Sequence, residues 1–327
     1  MKTTGTYKLH IFLFLLPALI LFVGILIAPI VMSVYYSLFD FHSINGSDMV
    51  MKEPFYKNYA DLFSRQLLNP ETGQMIENTK FLGDALVNSL ILAALSVFIQ
   101  LPLALLVALR LGKGIKGERA YLSIFFMPVL ISTVIIGRLW MNIYDPTDAG
   151  ILNALLRSLG IDKWLFPKIS AGITSSPLVF KGQWTGFKET ALYAAFIPIL
   201  WQYVGYHMLL MYAGVKGVPK DLLEAAQLDG CTEGQVNRHI IIPYIKPILR
   251  VCVVFAVTGS LKSFDLVYTL MKDTTKAELP STLMYKLLFL HNDYGMGSTI
   301  AVVLIVLCFV FALLISLVFR NRGEKVA

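Results

Sequence analysis

Long apolar runs divided by short polar stretches set the pattern of this sequence. Six runs, at 11–34, 85–109, 121–144, 191–215, 248–270 and 298–319, are each long enough for a helix to cross a hydrocarbon core, which takes about 20 residues. The first is too long for the apolar core of a signal peptide, and no clean small-x-small cleavage site follows it, so it reads as an uncleaved span. The pattern predicts an all-α integral membrane protein with six transmembrane helices. No internal repeat, low-complexity tract or second soluble domain is legible. The chain divides into a first span with an outer loop (1–84), a five-span core (85–319) and a short tail (320–327).

The longest well-patterned polar stretch, 220–247, lies between the fourth and fifth runs. Pro219 suits a first helical position, where its missing amide has no helical partner to lose. Asp221 and Glu224 follow in the first turns, where the helix dipole favours negative charge. Leu222, Leu223, Ala225 and Ala226 supply a small apolar face, and Gly230 can close the helix in a left-handed conformation. Thr232 and Gln235 have capping-box spacing, so a second short helix can start at once. Pro243 and Pro247 are expected to interrupt the chain before the next run. The prediction is two short helices joined by a glycine bend.

Composition strengthens the membrane reading. The 327 residues are 56% hydrophobic and 15% charged, against roughly 45–50% and about 25% for soluble domains. The net charge of +7 comes with no basic stripe interleaved with aromatics, so nucleic acid is not an expected partner. Basic residues instead flank the apolar runs. Lys2 and Lys8 precede the first, Arg110, Lys113, Lys116 and Arg119 fill the turn after the second, and Arg320, Arg322 and Lys325 follow the last. With six spans all three clusters fall on one side, which places both termini and 220–247 in the cytoplasm and residues 40–84 outside. Cys231, Cys252 and Cys308 are far apart, odd in number and without metal spacing, and read as inert thiols.

Glu224-Ala225-Ala226, Asp229-Gly230, Ile240 and Pro243 resemble the EAA loop of bacterial ABC-importer permeases. The fuller pattern, with its Pro243-x-x-x-Pro247 ending, is most similar to the maltose-type sugar permeases. Further motifs follow the family's order. Phe55-Tyr56-Lys57-Asn58-Tyr59 and Leu62-Phe63 precede the core, and Ala85-Leu86-Val87-Asn88-Ser89 opens it. Gly150-Ile151-Leu152-Asn153-Ala154-Leu155-Leu156 resembles a short interfacial helix whose Leu152, Leu155, Leu156 and Leu159 make it amphipathic. Trp201 to Met208, Ser263-Phe264-Asp265 and Tyr294-Gly295-Met296-Gly297-Ser298 complete the series. Departures are Asn237 in place of an aromatic residue, Gly234 in place of a large one, Cys231 in place of alanine, and Lys272-Asp273-Thr274 in place of a G-G-G-P continuation. Residues 169–188 are longer than the family's connection.

The resemblance implies a permease subunit of an ABC importer carrying a sugar or oligosaccharide across the bacterial cytoplasmic membrane. Its implied partners are a second homologous permease, an ABC ATPase dimer and an extracytoplasmic solute-binding protein. Glu224, Ala225, Ala226, Asp229, Gly230, Ile240 and Pro243 would form the ATPase-coupling element. The chain has no Walker A sequence, so no cofactor is expected on it and ATP belongs to the partner. No Ser/His/Asp or metal cluster points to an enzyme.

Polar residues inside spans are costly against lipid and point to a solute path. Gln202, Tyr203, Tyr206 and His207 cover more than one helix face, and Ser260 and Ser263 recur at helical spacing. By similarity to the maltose-type permeases, Tyr203, Tyr206, Ser260 and Ser263 are the substrate-path candidates. The same tyrosines serve equally as interfacial anchors and the serines as close-packing residues. Lys262 and Asp265, three apart, also read as an internal ion pair. Two other functions fit less of the pattern: an ABC permease for a non-sugar solute, and an ion-coupled secondary transporter. The latter needs mid-membrane acids or inverted repeats and has no use for the loop motif.

Overall fold

The computed structural model describes residues 4–64, 66–68, 75–77, 80–147, 150–173, 180–271 and 274–320. Lys2, Arg322 and Lys325 of the basic clusters, and Lys272-Asp273, lie outside them. The regular structure of the described chain is helical apart from two short antiparallel strand pairs. Unbroken helices of spanning length cover His10–Tyr36, Phe81–Gly112, Lys188–Lys216 and Tyr294–Val318.

The third and fifth spans differ from the continuous helices expected at 121–144 and 248–270. Glu118–Leu130 and Thr133–Ile143 meet at 96°. Pro128 lies inside the first of them, and Ile131 and Ser132 turn extended. The proline removes one amide from the ladder, and the hydroxyl residues that follow favour a new helix start. The fifth span stops at Leu261 and restarts as Asp265–Leu270. Phe264 leaves the helical region at φ −139°, and Asp265 opens the new helix where its charge suits the dipole. Gly137 lets the two restarted halves touch, since a Cβ there would lie 2.9 Å from Thr269.

The chain forms two compact units. One comprises residues 1–79 and 283–306. In it Asn58 is buried and donates from Nδ2 to the carbonyls of Ser37 and Phe39 at 2.8 and 2.9 Å. A Cβ on Gly295 would fall 2.1 Å from the Phe39 carbonyl oxygen, so Asn58 and Gly295 join their segments through backbone. Phe41 stacks on Tyr294 with ring centres 5.4 Å apart.

The other unit comprises residues 80–282 and 307–327. Its second and fourth spans pack through Leu101, Ala104, Ala108, Met208 and Met211, with Cys252 of the fifth span against them. Small residues bring these backbones close, as the absence of a hydrophobic driving force within lipid requires. At the far end of the third span, Ile151–Ser158 and Asp162–Gly172 form two short helices. Asn153 is fully buried between them and the chain that follows: Nδ2 donates to the Asp145 and Gly182 carbonyls, and Oδ1 accepts from Trp184 Nε1 at 2.9 Å. Leu152 packs inward while Leu155 and Leu159 stay exposed. Within the extra length of 169–188, Phe180 and Trp184 fold back onto Phe166; residues 174–179 lie outside the described chain.

Candidate solute path and coupling loop

Residues 220–247 form two helices around a glycine bend. Lys220–Leu228 follows Pro219, which is extended (ψ 133°) and caps the helix from one residue earlier than expected. Gly230 adopts φ +74°, the left-handed conformation expected of it. A Cβ there would meet nothing within 4 Å, so backbone conformation and not space is what glycine supplies. Thr232 and Gln235 form the full capping box: the Thr232 amide donates to Gln235 Oε1 at 2.7 Å, and the Gln235 amide donates to Thr232 Oγ1 at 3.4 Å.

The chain is interrupted between Pro243 and Pro247, as expected. The second helix runs as Glu233–Tyr244 through wider-wound turns at Asn237–Ile241, and Pro243 sits in the opening turn of the next α segment. The 72° bend falls at Ile245, with Pro247 in the first turn of Lys246–Leu261. Ile241 and Ile245 are buried with Leu109, Val215 and Val218, and Ile240 packs against them. Glu224, Ala225, Asp229 and Gly230 are exposed, and Ala226 is the buried residue of its helix. Leu222 and Leu228 also face outward, the latter 89% exposed.

A salt bridge ties this loop to the basic turn between the second and third spans: Lys113 Nζ donates to Glu233 Oε2. The Lys113 ammonium holds the Glu233 carboxyl below the usual glutamate range.

The four substrate-path candidates converge. Tyr203, Tyr206, Ser260 and Ser263 all line one cavity of about 360 Å³. Tyr203, Tyr206 and His207 share a stripe of the fourth span, as spacings of three and four predict. Gln202 falls on another face, buried, with its Nε2 donating to Thr133 Oγ1 at 3.2 Å. Lys262 and Asp265 also line the cavity but, among the described residues, form no ion pair; the break in the span separates what a continuous helix would have juxtaposed.

Sequence reasoning missed the second span's share of the wall. Ser96 and Gln100 lie at the two ends of a wider-wound segment, Ser96–Gln100, and both line the cavity. Ser96 Oγ lies 3.5 Å from Ser260 Oγ, which donates to the Ala256 carbonyl at 2.8 Å. Gln100 Nε2 lies 3.2 Å from His207 Nδ1. The signal was present in Gln100, an amide within an apolar run.

Two broken spans line a cavity in which polar side chains sit among apolar ones, and an exposed two-helix loop lies between the fourth and fifth spans. The chain belongs to the family described as binding-protein-dependent transport system inner membrane component, which matches residues 100–323. It is 30% identical to the osmoprotective compounds uptake permease protein GgtC of Synechocystis over 90% of this chain and 93% of that protein. The trehalose/maltose transport system permease protein MalF of Thermococcus litoralis is 30% identical over 70% of this chain and 72% of its own. In fold the chain resembles a subunit of a bacterial ABC transporter that imports the acidic polysaccharide alginate. The TM-score is 0.75 at 21% identity, with 98% of each chain covered.

Proposed function

We propose that this chain is the permease subunit of an ABC importer that moves a sugar or oligosaccharide across the cytoplasmic membrane. The observation that carries the solute class is the convergence of Tyr203, Tyr206, Ser260 and Ser263 on one cavity. Aromatic faces stack on the C–H faces of a sugar while hydroxyl and amide groups exchange hydrogen bonds with its hydroxyls. Sugar-transport permeases among the relatives, MalF and the arabinooligosaccharide permease protein AraP of Bacillus subtilis, support the same class.

In this reading a separate ATPase dimer binds ATP, a second homologous permease completes the path, and an extracytoplasmic binding protein delivers the solute. The structural likeness to an alginate transporter solved with its periplasmic binding protein is consistent with that last partner. Glu224, Ala225, Ala226, Asp229 and Gly230 present the coupling helix and its bend to the ATPase, with Ile240 and Pro243 on the supporting second helix. Both termini and this loop face the cytoplasm. ATP-driven closure of the ATPases moves the loop, and the Lys113–Glu233 bridge carries that motion to the turn between the second and third spans.

The test is reconstitution of the complex purified with its partner subunits. ATP hydrolysis is measured with the binding protein and a panel of mono- and oligosaccharides, amino acids and polyols. Stimulation by a saccharide is expected. Stimulation by a non-sugar alone, or by none of the panel, overturns the solute assignment.

A further inference from the structure

We propose that Glu118 is a positioning residue for coupling: it clasps the first turn of the third span to the end of the fourth, so that the loop 220–247 and the turn 113–118 move as one body. This rests on that loop being the element that meets the ATPase.

Glu118 opens the first half of the broken third span. Its two carboxylate oxygens take different partners: Oε1 accepts from the Tyr212 hydroxyl, and Oε2 accepts from Lys216 Nζ at 3.2 Å. Tyr212 and Lys216 are four apart, so one face of the fourth span presents both. Lys216 is the last residue of that span, and only Gly217, Val218 and Pro219 separate it from the coupling helix. The same turn holds the loop a second time through Lys113 and Glu233, the first residue of the second loop helix. Gly114 and Gly117, at φ +76° and +82°, give the turn the left-handed backbone that brings Lys113 and Glu118 round one tight bend. A third tie closes the loop on itself, the Tyr244 hydroxyl donating to the Gly217 carbonyl at 3.0 Å.

Stability does not explain these contacts. Exposed ion pairs add little by themselves, and Lys113 and Lys216 are both exposed. The helix dipole favours an acid at Glu118, but it does not place a hydroxyl and an ammonium on its two oxygens. What the contacts supply is geometry. The loop is held before its first helix and at the start of its second, so tilting it carries the turn along. The half-span Glu118–Leu130 runs from that turn to the cavity, where Val129 lines the wall. Phe125, midway along it, meets Gly205 of the fourth span backbone to backbone. Pinned at both points, the half-span passes a displacement of the loop to the cavity wall.

The test uses the assembled complex, its other subunits free of cysteine. Native Cys231 is exposed beyond the bend, and Lys116→Cys adds a second exposed site in the turn. Spin labels on the two, in a Cys308→Ser background, report the distance between loop and turn. In the wild-type clasp that distance should be narrowly distributed and the same without nucleotide and with ATP and vanadate. Glu118→Lys should broaden it and make it shift between those states. Adding Lys216→Glu restores the ion pair in reverse and should bring the narrow distance back. Glu118→Gln, which keeps the shape and loses the charge, should broaden it too, and serves if the lysine variant fails to assemble. A wild-type distance that changes with nucleotide overturns the movement as one body. An unchanged distance in the Glu118 variants overturns the clasp, as does broadening that Lys216→Glu does not reverse, which disturbed packing alone predicts. A wild-type complex that purifies without an ATPase overturns the coupling reading of the loop and this proposal with it.

Discussion

The backbone of Gly205 lies against that of Phe125, so close that a Cβ on Gly205 would sit 1.8 Å from the Phe125 carbonyl oxygen. Gly205 is buried mid-way along the fourth span, and Phe125 belongs to the first half of the broken third. The contact is backbone on backbone and cannot be relieved by a rotamer change. Gly205→Ala must push the two helices apart beside the cavity. The expected cost is at least the 1–3 kcal/mol typical of overpacking, read as a lowered Tm of the detergent-purified protein. Gly259→Ala is the control, because a Cβ there meets nothing within 4 Å. Equal melting of both variants with the wild type would show that the helices do not touch here.

The glycine bend should matter more to coupling than the charge beside it. Gly230 needs φ +74°, which costs a side-chain-bearing residue about 1 kcal/mol or more and is worst for a β-branched one. Glu224 is exposed, so losing its charge should weaken contact with a partner only slightly. Gly230→Val is therefore expected to reduce ATPase co-purification and solute-stimulated hydrolysis more severely than Glu224→Gln. Full binding and transport by both variants would remove this loop from the coupling role.

The Lys113–Glu233 bridge makes a pH-dependent contribution of defined sign. Its folded-state carboxyl titrates below the ordinary glutamate value of 4.5 because the Lys113 ammonium stabilises the carboxylate. The contribution is complete above that value and is lost as pH falls through the depressed one. Wild type should melt slightly above Glu233→Gln at pH 7, with the gap closing on acidification below the ordinary glutamate value and shrinking in high salt. A gap that widened with acid would contradict the pairing.

Native Cys231 reports the side of the coupling loop. It is exposed just after the bend, whereas Cys252 is buried. A cysteine introduced at the exposed Ser47 belongs to the loop assigned outside. In sealed cells an impermeant maleimide should label Ser47→Cys, and in inverted vesicles it should label Cys231. Labelling of both from one side would refute the six-span orientation.

The sequence alone determined the elements whose causes are local. Apolar length marks a span because the bilayer sets the length a helix needs. The bend at Gly230 and the Thr232–Gln235 capping box were legible because each depends on residues a few positions apart. Ser260 and Ser263 recur at helical spacing, and family likeness selected them together with Tyr203 and Tyr206. Tertiary structure decided what periodicity does not encode. The breaks at Ile131–Ser132 and Lys262–Phe264 lie inside runs apolar enough to read as continuous, and the halves they free pack together through Gly137 and Thr269. Gln100 stands 107 residues from His207, and no local pattern announces such a meeting. It exists because small residues let the second and fourth spans approach, which turns two isolated polar side chains into one wall of a cavity.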